Sequence, residues 1–339
     1  MNLKDIGEFG LIARLAENCI FNKKEILVGI GDDTAVLPLD QDYHLLVSCD
    51  MLIEKMHFLR EVSSPFQIGY KSVAVNFSDI AAMGGWPTSI LVSIGIPKSI
   101  SFEYIDEIYK GMKNICKKYS VNIIGGDTVA SPDGIVINVT VLGKVEKNNL
   151  HLRSHAKVDD VVFTTGTLGN SAAGLQIIKN IQNHLDIDIP SKIKDFLLQK
   201  HLSPEPCLNE IRILNKIELG LNALNDISDG LASEAWEIAN ASQIGIELYK
   251  DRIPISEETQ ILGQLLKTSP LDWALYGGED FQLIGTIDKI HFPIFSKEYK
   301  RENGTDLFEI GRTINYPGVF LVHNEEKVYL NKSGFNHFD

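Results

Sequence analysis

The chain has few cysteines, no excess of basic residues and no long hydrophobic run. Its four cysteines, Cys19, Cys49, Cys116 and Cys207, lie far apart without CxxC spacing, which argues against a zinc site and a disulfide framework. Dispersed cysteines predict a reducing compartment, and we expect the cytoplasm. No stretch approaches the roughly 18 uninterrupted apolar residues of a membrane span. No basic segment followed by an apolar run opens the chain, so we expect no signal peptide.

Acidic residues outnumber basic ones, with 45 Asp and Glu against 32 Lys and Arg and a formal net charge of −13. Broad nucleic-acid binding depends on basic surface, so this balance argues against a nucleic-acid partner. The 339 residues, 44% of them hydrophobic, are enough for two domains with buried cores. We therefore expect a globular two-domain protein that binds neither nucleic acid nor a membrane.

Aspartate next to glycine or serine is what the chain has in unusual number, at places where apolar runs end. The groups are Gly31-Asp32-Asp33, Ser48-Cys49-Asp50, Asn76-Phe77-Ser78-Asp79, Gly125-Gly126-Asp127, Asp226-Ile227-Ser228-Asp229-Gly230 and Gly277-Gly278-Glu279-Asp280. Clustered carboxylates repel one another unless a cation neutralises them, and hard oxygen ligands favour Mg²⁺ or Ca²⁺ over zinc. Any single group is more often a turn than a ligand. Their repetition predicts a magnesium-dependent phosphate site.

The first part of the chain predicts a mixed α/β arrangement. Ser64, Pro65 and Gln67 predict a capping box that begins a helix, and this helix should end near Met83. The predicted strands are 26–30, 35–39, 45–49, 90–96, 121–124 and 135–145, and a second helix is predicted at 102–119. The acidic groups should therefore lie at the ends of strands and helices.

A polar break at Glu146–Leu150 is the predicted domain boundary, which divides the chain into residues 1–147 and 148–339. Beyond it, a glycine-rich turn at 166–174 leads into a helix, and such a helix N-terminus can bind an anion. The turn lacks the lysine of a Walker A loop and the spacing of a Rossmann loop. The predicted strands here are 160–165, 284–286 and 320–322, and the predicted helices are 171–180, 231–241 and parts of 191–219.

The order of these blocks resembles the thiamine-monophosphate kinase family, in the superfamily of aminoimidazole ribonucleotide synthetase and selenophosphate synthetase. The resemblance covers nearly the whole chain, and the blocks are specific together although each is modest alone. Besides the acidic groups, they are Gly7-Glu8-Phe9, His57-Phe58, Ala74-Val75-Asn76-Phe77, Ile80-Ala81-Ala82-Met83-Gly84, Arg153-Ser154, Thr165-Gly166-Thr167-Leu168-Gly169, Ser171-Ala172-Ala173-Gly174-Leu175 and Gly334-Phe335-Asn336-His337-Phe338.

The resemblance implies that ATP, as co-substrate, gives its γ-phosphoryl group to thiamine monophosphate by direct in-line transfer, with several Mg²⁺ ions bound. It also implies an α/β (α+β) fold of two domains. The N-terminal domain, with a mixed sheet, would form a β-barrel with a second copy in a homodimer. The C-terminal α/β domain would complete the nucleotide and substrate site.

The resemblance further implies roles for individual residues. The implied metal ligands are Asp33, Ser48, Cys49, Asp50, Asp79, Asp127, Asp226 and Asp229, with Cys49 acting only through its backbone carbonyl. The implied catalytic acids are Asp33, Asp50, Asp79 and Asp226. The implied ATP contacts are Tyr109, Gly126, Asp127, Arg153 and Ser228, and the implied contacts to thiamine monophosphate are His57, Glu279 and Phe335.

Each of the non-acidic residues also has a structural alternative. His57 could be a packed histidine at a strand end, and Arg153 could form a surface ion pair of little energetic value. Phe335 could anchor the tail in the core, and Tyr109, on an amphipathic helix, could be an aromatic at the edge of the core. The sequence shows no Ser/His or His/Asp pair at catalytic spacing.

The chain departs from the family pattern at a few positions. Ala130 stands where many members have a polar or basic residue, and Asn170 replaces an aspartate that could be a ligand. His155, Val158 and Asp159 replace Gly, Pro and Gly. None of these belongs to the acidic set, so they bear on local nucleotide contacts rather than on the activity.

Three other functions compete with the kinase. One is an ATP-dependent ligase similar to aminoimidazole ribonucleotide synthetase. A second is a selenophosphate synthetase, disfavoured because Cys19 lies in an ordinary helical context rather than a glycine-rich segment. The third is a Mg²⁺–nucleotide sensor without catalysis, disfavoured because a sensor need not keep every acidic ligand.

Overall fold

The computed structural model describes residues 3–183, 187–217, 219–332 and 334. The strands are β1 (Ala35–Pro38), β2 (Tyr43–Ile53), β3 (Trp86–Pro97), β4 (Asn122–Ser131), β5 (Val136–Glu146), β6 (Asp160–Thr164), β7 (Leu221–Asp226), β8 (Gly245–Tyr249), β9 (Leu283–Asp288), β10 (Phe308–Ile314), β11 (Gly318–His323) and β12 (Glu326–Tyr329). The helices are α1 (Leu3–Leu15), α2 (Pro65–Ala82), α3 (Phe102–Tyr119), α4 (Asn170–Gln182), α5 (Ser191–Leu202), α6 (Leu208–Lys216), α7 (Leu231–Ser242), α8 (Glu257–Leu266), α9 (Pro270–Tyr276) and α10 (Phe292–Asn303).

The first half of the chain forms a five-stranded sheet in the order β1-β2-β5-β3-β4. β2 pairs with β5 in antiparallel register along its whole length, from Tyr43 opposite Glu146 to Ile53 opposite Val136. β3 pairs with β5 in antiparallel and with β4 in parallel orientation, so β4 is an edge strand. α2 contacts one face of this sheet and α3 contacts α2.

Helix α2 begins as its sequence dictates. The Ser64 hydroxyl accepts a hydrogen bond from the Gln67 amide at 3.3 Å, and the Gln67 side chain accepts one from the Ser64 amide at 3.0 Å. The predicted capping box and the helix end near Met83 are confirmed. Of its 18 residues 14 are buried, because both halves of the chain pack against it.

The second half forms a seven-stranded sheet in the order β12-β11-β8-β10-β6-β9-β7. Its pairs are antiparallel apart from β11 and β8. One apolar core extends from α2, through Phe77 and Ile80, to Leu208 and Leu283 of the second half. The two sheets therefore belong to halves that share a core around α2.

Most of the predicted elements are confirmed, and three predictions are wrong. Asp50 does not follow a strand, because β2 continues past it to Ile53. The run 26–30 makes only isolated bridges at Val28 and Ile30, since β1 has β2 as its regular partner. Asp127 does not follow a strand but lies inside β4, because pairing with β3 continues past it to Ser131. Strands β7, β8, β10 and β12 were not predicted from the sequence.

The α/β class with two sheets is confirmed, whereas the barrel is not. The strands of the described residues form two open sheets, so no barrel closes within one chain. In the same part of the chain, none of the helices is both long enough and apolar enough to cross a membrane.

The contact of α2 with α3 depends on two glycines. A Cβ at Gly69 would lie 1.8 Å from the carbonyl oxygen of Ile108, and one at Gly111 would lie 2.0 Å from that of Phe66. We expect Gly69→Ala to lower the free energy of unfolding by about 2–3 kcal/mol, because backbone rather than a flexible side chain must move.

Urea denaturation of the purified variants tests this expectation, with Gly95→Ala as the matched control. A Cβ at Gly95 would meet its nearest neighbour, the Ser131 Cβ, at an ordinary 3.4 Å, so this variant should stay within about 1 kcal/mol of the wild type. Equal stability of the two variants would contradict the close-packing argument.

Candidate active site

Three carboxylates from distant parts of the sequence meet where the two halves join. Asp33, just before β1, Asp79, on α2, and Asp226, at the end of β7, each place a carboxylate oxygen within 4.8 Å of the others. Asp50, on β2, lies within electrostatic reach, since Asp33 contributes to raising the pKa of Asp50. The four predicted catalytic acids therefore lie together. We call Asp33, Asp50, Asp79 and Asp226 the acidic cluster.

Hydroxyl groups hold two of these carboxylates in place. The Ser48 hydroxyl donates to Oδ2 of Asp79 at 2.5 Å, and the Ser78 hydroxyl donates to Oδ2 of Asp226 at 2.5 Å. The second bond joins α2 directly to the second sheet. Because Ser78 and Asp79 are consecutive on one helix, α2 fixes the distance between acids of the two halves.

The acidic cluster resists ionisation. Burial raises the pKa of Asp226 to about 8 and that of Asp50 to about 6, and in both cases the charge of Asp33 raises it further. Burial raises the pKa of Asp79 well above its ordinary value, and the charges of Asp50 and Asp226 raise it further. Carboxylates placed so that they repel one another are typical of sites that bind a cation.

Arg153 lies against the acidic cluster from the second half. Its guanidinium forms an ion pair with Asp33, and its Nε donates to Oδ1 of Asn225 at 3.1 Å. Nε also lies 3.8 Å from Asp32, and Nη1 lies 3.4 Å from Glu237. With 16% of its side chain exposed, Arg153 is part of a largely buried network and not the surface ion pair considered as an alternative.

The acidic cluster fits a bound divalent cation. Oδ2 of Asp33 is buried without a hydrogen-bond partner among the described residues, which is costly unless another group occupies that position. The donors are carboxylate and hydroxyl oxygens, the ligands that Mg²⁺ prefers. Cys49 alternates with Ser48 and Asp50 along β2, so its exposed thiol lies on the opposite face of the sheet.

The glycine and aspartate of β4 face different sides of the first sheet. Cross-strand pairing puts Gly126 in the row of Asp50, whereas Asp127 lies in the row of Met51, on the outer face. A Cβ at Gly126 would lie 1.7 Å from the carbonyl oxygen of Val92, so this position requires glycine. Within one chain, Asp127 is therefore outside the group of three carboxylates.

The remaining predicted nucleotide and metal residues lie on both halves. Tyr109 is half-buried on α3 and packs against the core of the first half, in agreement with its structural alternative. Ser228 and Asp229 follow β7, and Asp229 donates its amide to Oε1 of Glu234 at 3.1 Å. Glu234, buried on α7, also accepts a bond from the Asn225 side chain at 2.6 Å.

Glu279 and His57, two of the predicted acceptor contacts, are near one another. Burial opposes ionisation of Glu279, but Lys71, His201 and His57 together lower its pKa below the ordinary value. Nζ of Lys71 lies 2.7 Å and Nδ1 of His201 lies 3.2 Å from the Glu279 carboxylate. Nδ1 of His57 accepts a bond from the Ile53 amide at 3.0 Å. Phe335 lies outside the described residues.

The sequence did not reveal a buried pair of serine and histidine near Glu279. The Ser171 hydroxyl lies 2.9 Å from Nδ1 of His201, the same nitrogen that faces Glu279. A Ser–His–acid relay uses the two different ring nitrogens, so this geometry does not form one. Lys71 and Glu234 were also not predicted. Asp32 belongs to the predicted group Gly31-Asp32-Asp33 but was given no individual role.

The glycine-rich turn before α4 binds the chain's own carboxylate. Asp280 accepts hydrogen bonds from the Gly169 amide at 2.6 Å and the Ser171 amide at 3.1 Å. Burial raises the pKa of Asp280 to about 7, although these amides oppose the rise. Asn170 bonds Thr167 and Ser256, which makes it a structural residue of this turn. The anion expected at this helix N-terminus is thus Asp280.

A large crevice lies apart from the acidic cluster. It has a volume of about 1020 Å³ and is lined by residues such as Tyr43, Trp86, Arg212 and Lys216, none of which belongs to the predicted site. Tyr43 begins β2, seven residues before Asp50, so the crevice and the acidic cluster lie near opposite ends of that strand. Charge and hydrogen bonding, rather than cavity size, identify the candidate site.

Comparison with known proteins gives consistent similarities over the whole chain. Residues 31–145 match the family model of AIR synthase related protein, N-terminal domain, and residues 157–323 match that of the C-terminal domain. The thiamine-monophosphate kinase of Bacillus subtilis is 38% identical over 335 residues, covering 98% of this chain and 100% of that protein. That of Aquifex aeolicus is 34% identical over 339 residues, covering 100% of both. A solved structure described as AaThiL complexed with AMPPCP and TMP is 33% identical with a TM-score of 0.83 and covers 99% of both chains.

The raised pKa values predict how the metal-free protein responds to pH. The folded state keeps protons that the unfolded chain releases above about pH 4, so the free energy of unfolding should fall as the pH rises toward 8, the pKa of Asp226. Asp226→Asn should remove part of this loss. In EDTA at pH 8 we expect the variant to exceed the wild type by at least about 1 kcal/mol, and the difference should shrink toward pH 4.

Urea denaturation in EDTA at both pH values, repeated with Mg²⁺, checks this prediction. Mg²⁺ should stabilise the wild type more than the variant, and Asp195→Asn, exposed on α5, should follow the wild type throughout. An Asp226→Asn protein that is less stable than the wild type at pH 8 in EDTA would contradict the prediction.

Proposed function

The chain belongs to the thiamine-monophosphate kinase family, and we propose that it phosphorylates thiamine monophosphate to thiamine diphosphate with ATP. The observation that carries this proposal is the convergence of Asp33, Asp79 and Asp226 within 4.8 Å, with Asp50 in electrostatic reach. It is supported by the related structure complexed with AMPPCP, an analogue of ATP, and TMP. The two ligands correspond to the two substrates of the proposed reaction.

The proposed step is a direct, in-line transfer. An oxygen of the acceptor phosphate forms a bond to the γ-phosphorus of ATP, the bond from that phosphorus to the β–γ bridging oxygen breaks, and ADP leaves with the electron pair. A phosphate monoester has a second pKa of about 6, so the attacking oxygen is largely deprotonated at neutral pH. The protein therefore needs no strong general base.

Repulsion between two phosphate-bearing substrates is the main obstacle to this reaction. Phosphoryl transfer has a loose transition state, so positioning and charge neutralisation provide most of the catalysis. Asp33, Asp50, Asp79 and Asp226 would hold Mg²⁺, which when bound neutralises phosphate oxygens. Ser48 and Ser78 orient two of these carboxylates through their hydrogen bonds. The chain's own contribution is thus a fixed array of ligands.

Roles for the other predicted residues belong to the same proposal. Gly126 and Ser228 would contact the nucleotide beside the acidic cluster. This role is supported by the position of Gly126 in the row of Asp50 and by that of Ser228 two residues after Asp226. Arg153, close to Asp33, would contact ATP phosphates once a cation takes over the neutralisation of that carboxylate. The roles of Tyr109, Asp127, Cys49, Asp229 and Phe335 stay predictions, as does the cytoplasmic location.

Product analysis discriminates between the proposed and competing functions. The protein is incubated with ATP, Mg²⁺ and thiamine monophosphate, and ³¹P NMR follows ADP and thiamine diphosphate, which should appear in a 1:1 ratio. Release of phosphate only with a different acceptor, such as a formylglycinamidine ribonucleotide or a selenide, would favour a ligase or a selenophosphate synthetase. Nucleotide binding without turnover of any of these acceptors would favour the sensor and overturn the kinase.

Substitution of the acidic cluster should remove this activity. We expect Asp50→Asn and Asp79→Asn each to lower turnover by at least about 10²-fold, because each removes charge that neutralises the transition state. Circular dichroism should show both variants folded, and Asp195→Asn should retain full activity. Near-normal turnover in either folded variant would contradict the assignment of these aspartates as metal ligands.

We also propose that the two halves are the domains 1–147 and 148–339 and that the first half mediates a homodimer. The family models, matching 31–145 and 157–323, support the division. The outer face of the first sheet supports the dimer, because Met51, Leu91 and Val129 are 49%, 36% and 55% exposed there. β4 is moreover an edge strand, and closing a barrel with a second copy would pair it.

Light scattering at micromolar concentration tests the dimer. The expected mass is twice that of one 37.7 kDa chain, and Met51→Asp should shift it toward the monomer, because a charge would be buried in the interface. Ile290→Asp, at a position 75% exposed outside the first sheet, is the matched control and should remain dimeric. A wild type with the mass of one chain would contradict the proposal.

A further inference from the structure

A lysine is buried in the middle of α2. Only 3% of the Lys71 side chain is exposed, and its Nζ lies 2.7 Å from Oε1 of Glu279. Within the described part of the chain, Glu279 is the one carboxylate within ion-pair distance of Lys71. Lysine is almost never fully buried unless it is paired. The ion pair with Glu279 therefore accounts for a lysine at this position.

Glu279 is the more accessible member of the pair. Its side chain is 29% exposed, so the carboxylate can face a ligand while Lys71 lies behind it. The backbone of Glu279 has φ 68°, a left-handed conformation that non-glycine residues rarely adopt. The Glu279 amide donates to the Ser228 carbonyl at 2.7 Å, which secures this conformation beside β7. The chain thus holds Glu279 in one specific orientation.

Lys71 is the fixed positive charge next to this carboxylate. His201 also faces Glu279. Burial, and to a lesser extent the charge of Lys71, lowers the pKa of His201 to about 4, so the imidazole is neutral at neutral pH. His57 acts on Glu279 only as a weaker electrostatic influence. Without Lys71, the half-buried Glu279 carboxylate would therefore keep only the weaker influence of His57 and lose most of the support for its ionised state.

The same helix carries a residue of the acidic cluster. Lys71 and Asp79 are eight residues apart on α2, which corresponds to about 12 Å along the axis. The burial of 14 of the 18 residues of α2 leaves the helix little freedom to move. The position of Glu279 and the position of Asp79 are thus both set by α2.

We propose that Lys71 is a positioning residue for the acceptor: it holds Glu279 ionised and oriented, so that Glu279 binds the cationic thiamine moiety at a fixed distance from the acidic cluster. This inference rests on the proposed function, because it takes thiamine monophosphate as the acceptor. Thiamine carries a permanently charged thiazolium ring, and an ionised, partly exposed carboxylate complements such a cation. Lys71 itself need not touch the substrate.

Kinetics of Lys71→Met test the proposal. We expect the KM for thiamine monophosphate to rise by about 5- to 30-fold, the range typical of losing one charge-assisted contact, while the KM for ATP and kcat change less than about 3-fold. Lys71→Arg, which keeps the charge, should recover part of the affinity. Lys300→Met, which breaks an exposed ion pair with Asp306, should leave both KM values unchanged.

A double-mutant cycle separates this role from general stability. Glu279→Gln should raise the acceptor KM, and adding Lys71→Met to it should raise the KM little further, because the lysine acts through the glutamate. A loss of melting temperature with both KM values rising together would show that Lys71 only packs the core, and would overturn the proposal. An unchanged acceptor KM in Lys71→Met would also overturn it.

A measurement that needs no activity keeps the test independent of the proposed function. In protein labelled with ¹³C at glutamate carboxyl carbons, the resonance lost in Glu279→Gln identifies Glu279, and its titration should move to higher pH in Lys71→Met. If that variant does not fold, Lys71→Arg is titrated and should keep Glu279 ionised as in the wild type. An identical titration in wild type and Lys71→Met would overturn the inference, whereas a wild type that neither binds nor turns over thiamine monophosphate would overturn the proposed function instead.

Discussion

Buried carboxylates that face one another repel strongly, and the fold has to hold the acidic cluster together against that repulsion. Part of the compensation is local: the hydroxyls of Ser48 and Ser78 bond two of the carboxylates, and Arg153 neutralises Asp33. The rest comes from apolar packing around α2, which buries Phe77 and Ile80 completely. The core therefore stabilises an arrangement that is electrostatically unfavourable until a cation binds, which is the arrangement that phosphoryl transfer requires.

Helix α2 connects the two halves of the chain through its side-chain contacts. It contributes a carboxylate to the acidic cluster, and Ser78 bonds Asp226 of the second sheet. Tyr70 donates to Glu205 at 2.6 Å, and the next residue, Lys71, forms the ion pair with Glu279. Three side-chain contacts from this one buried helix thus connect the first half to the second. Ser78 reaches β7, Tyr70 reaches the segment after α5, and Lys71 reaches the segment after α9. The candidate nucleotide and acceptor regions are parts of one rigid frame.

Local signals explain what could be predicted from the sequence. The capping box at Ser64 and the amphipathic pattern of α3 gave the correct helices because both depend on neighbouring residues. The acids of the cluster could be identified, since each belongs to a short block that also holds glycine or serine. Contacts over long separations could not. Asp280 occupies the helix N-terminus at Gly169 from 111 residues away, and β4 continues through Asp127 because β3 pairs with it. Lys71 could not be identified from the sequence because its partner Glu279 is distant in sequence.

The bond between Ser78 and Asp226 spans 148 residues, and this separation has a consequence for the newly made chain. During synthesis, α2 is complete long before β7 exists, so its face toward the second half is uncovered while that half is being translated. Ser78 then has no Asp226 to bond, Tyr70 lacks Glu205, and Lys71 has no counter-ion. Contacts of such high sequence separation form late and expose apolar surface in the meantime. During this interval of synthesis, α2 offers a binding surface to a chaperone that recognises exposed apolar helices.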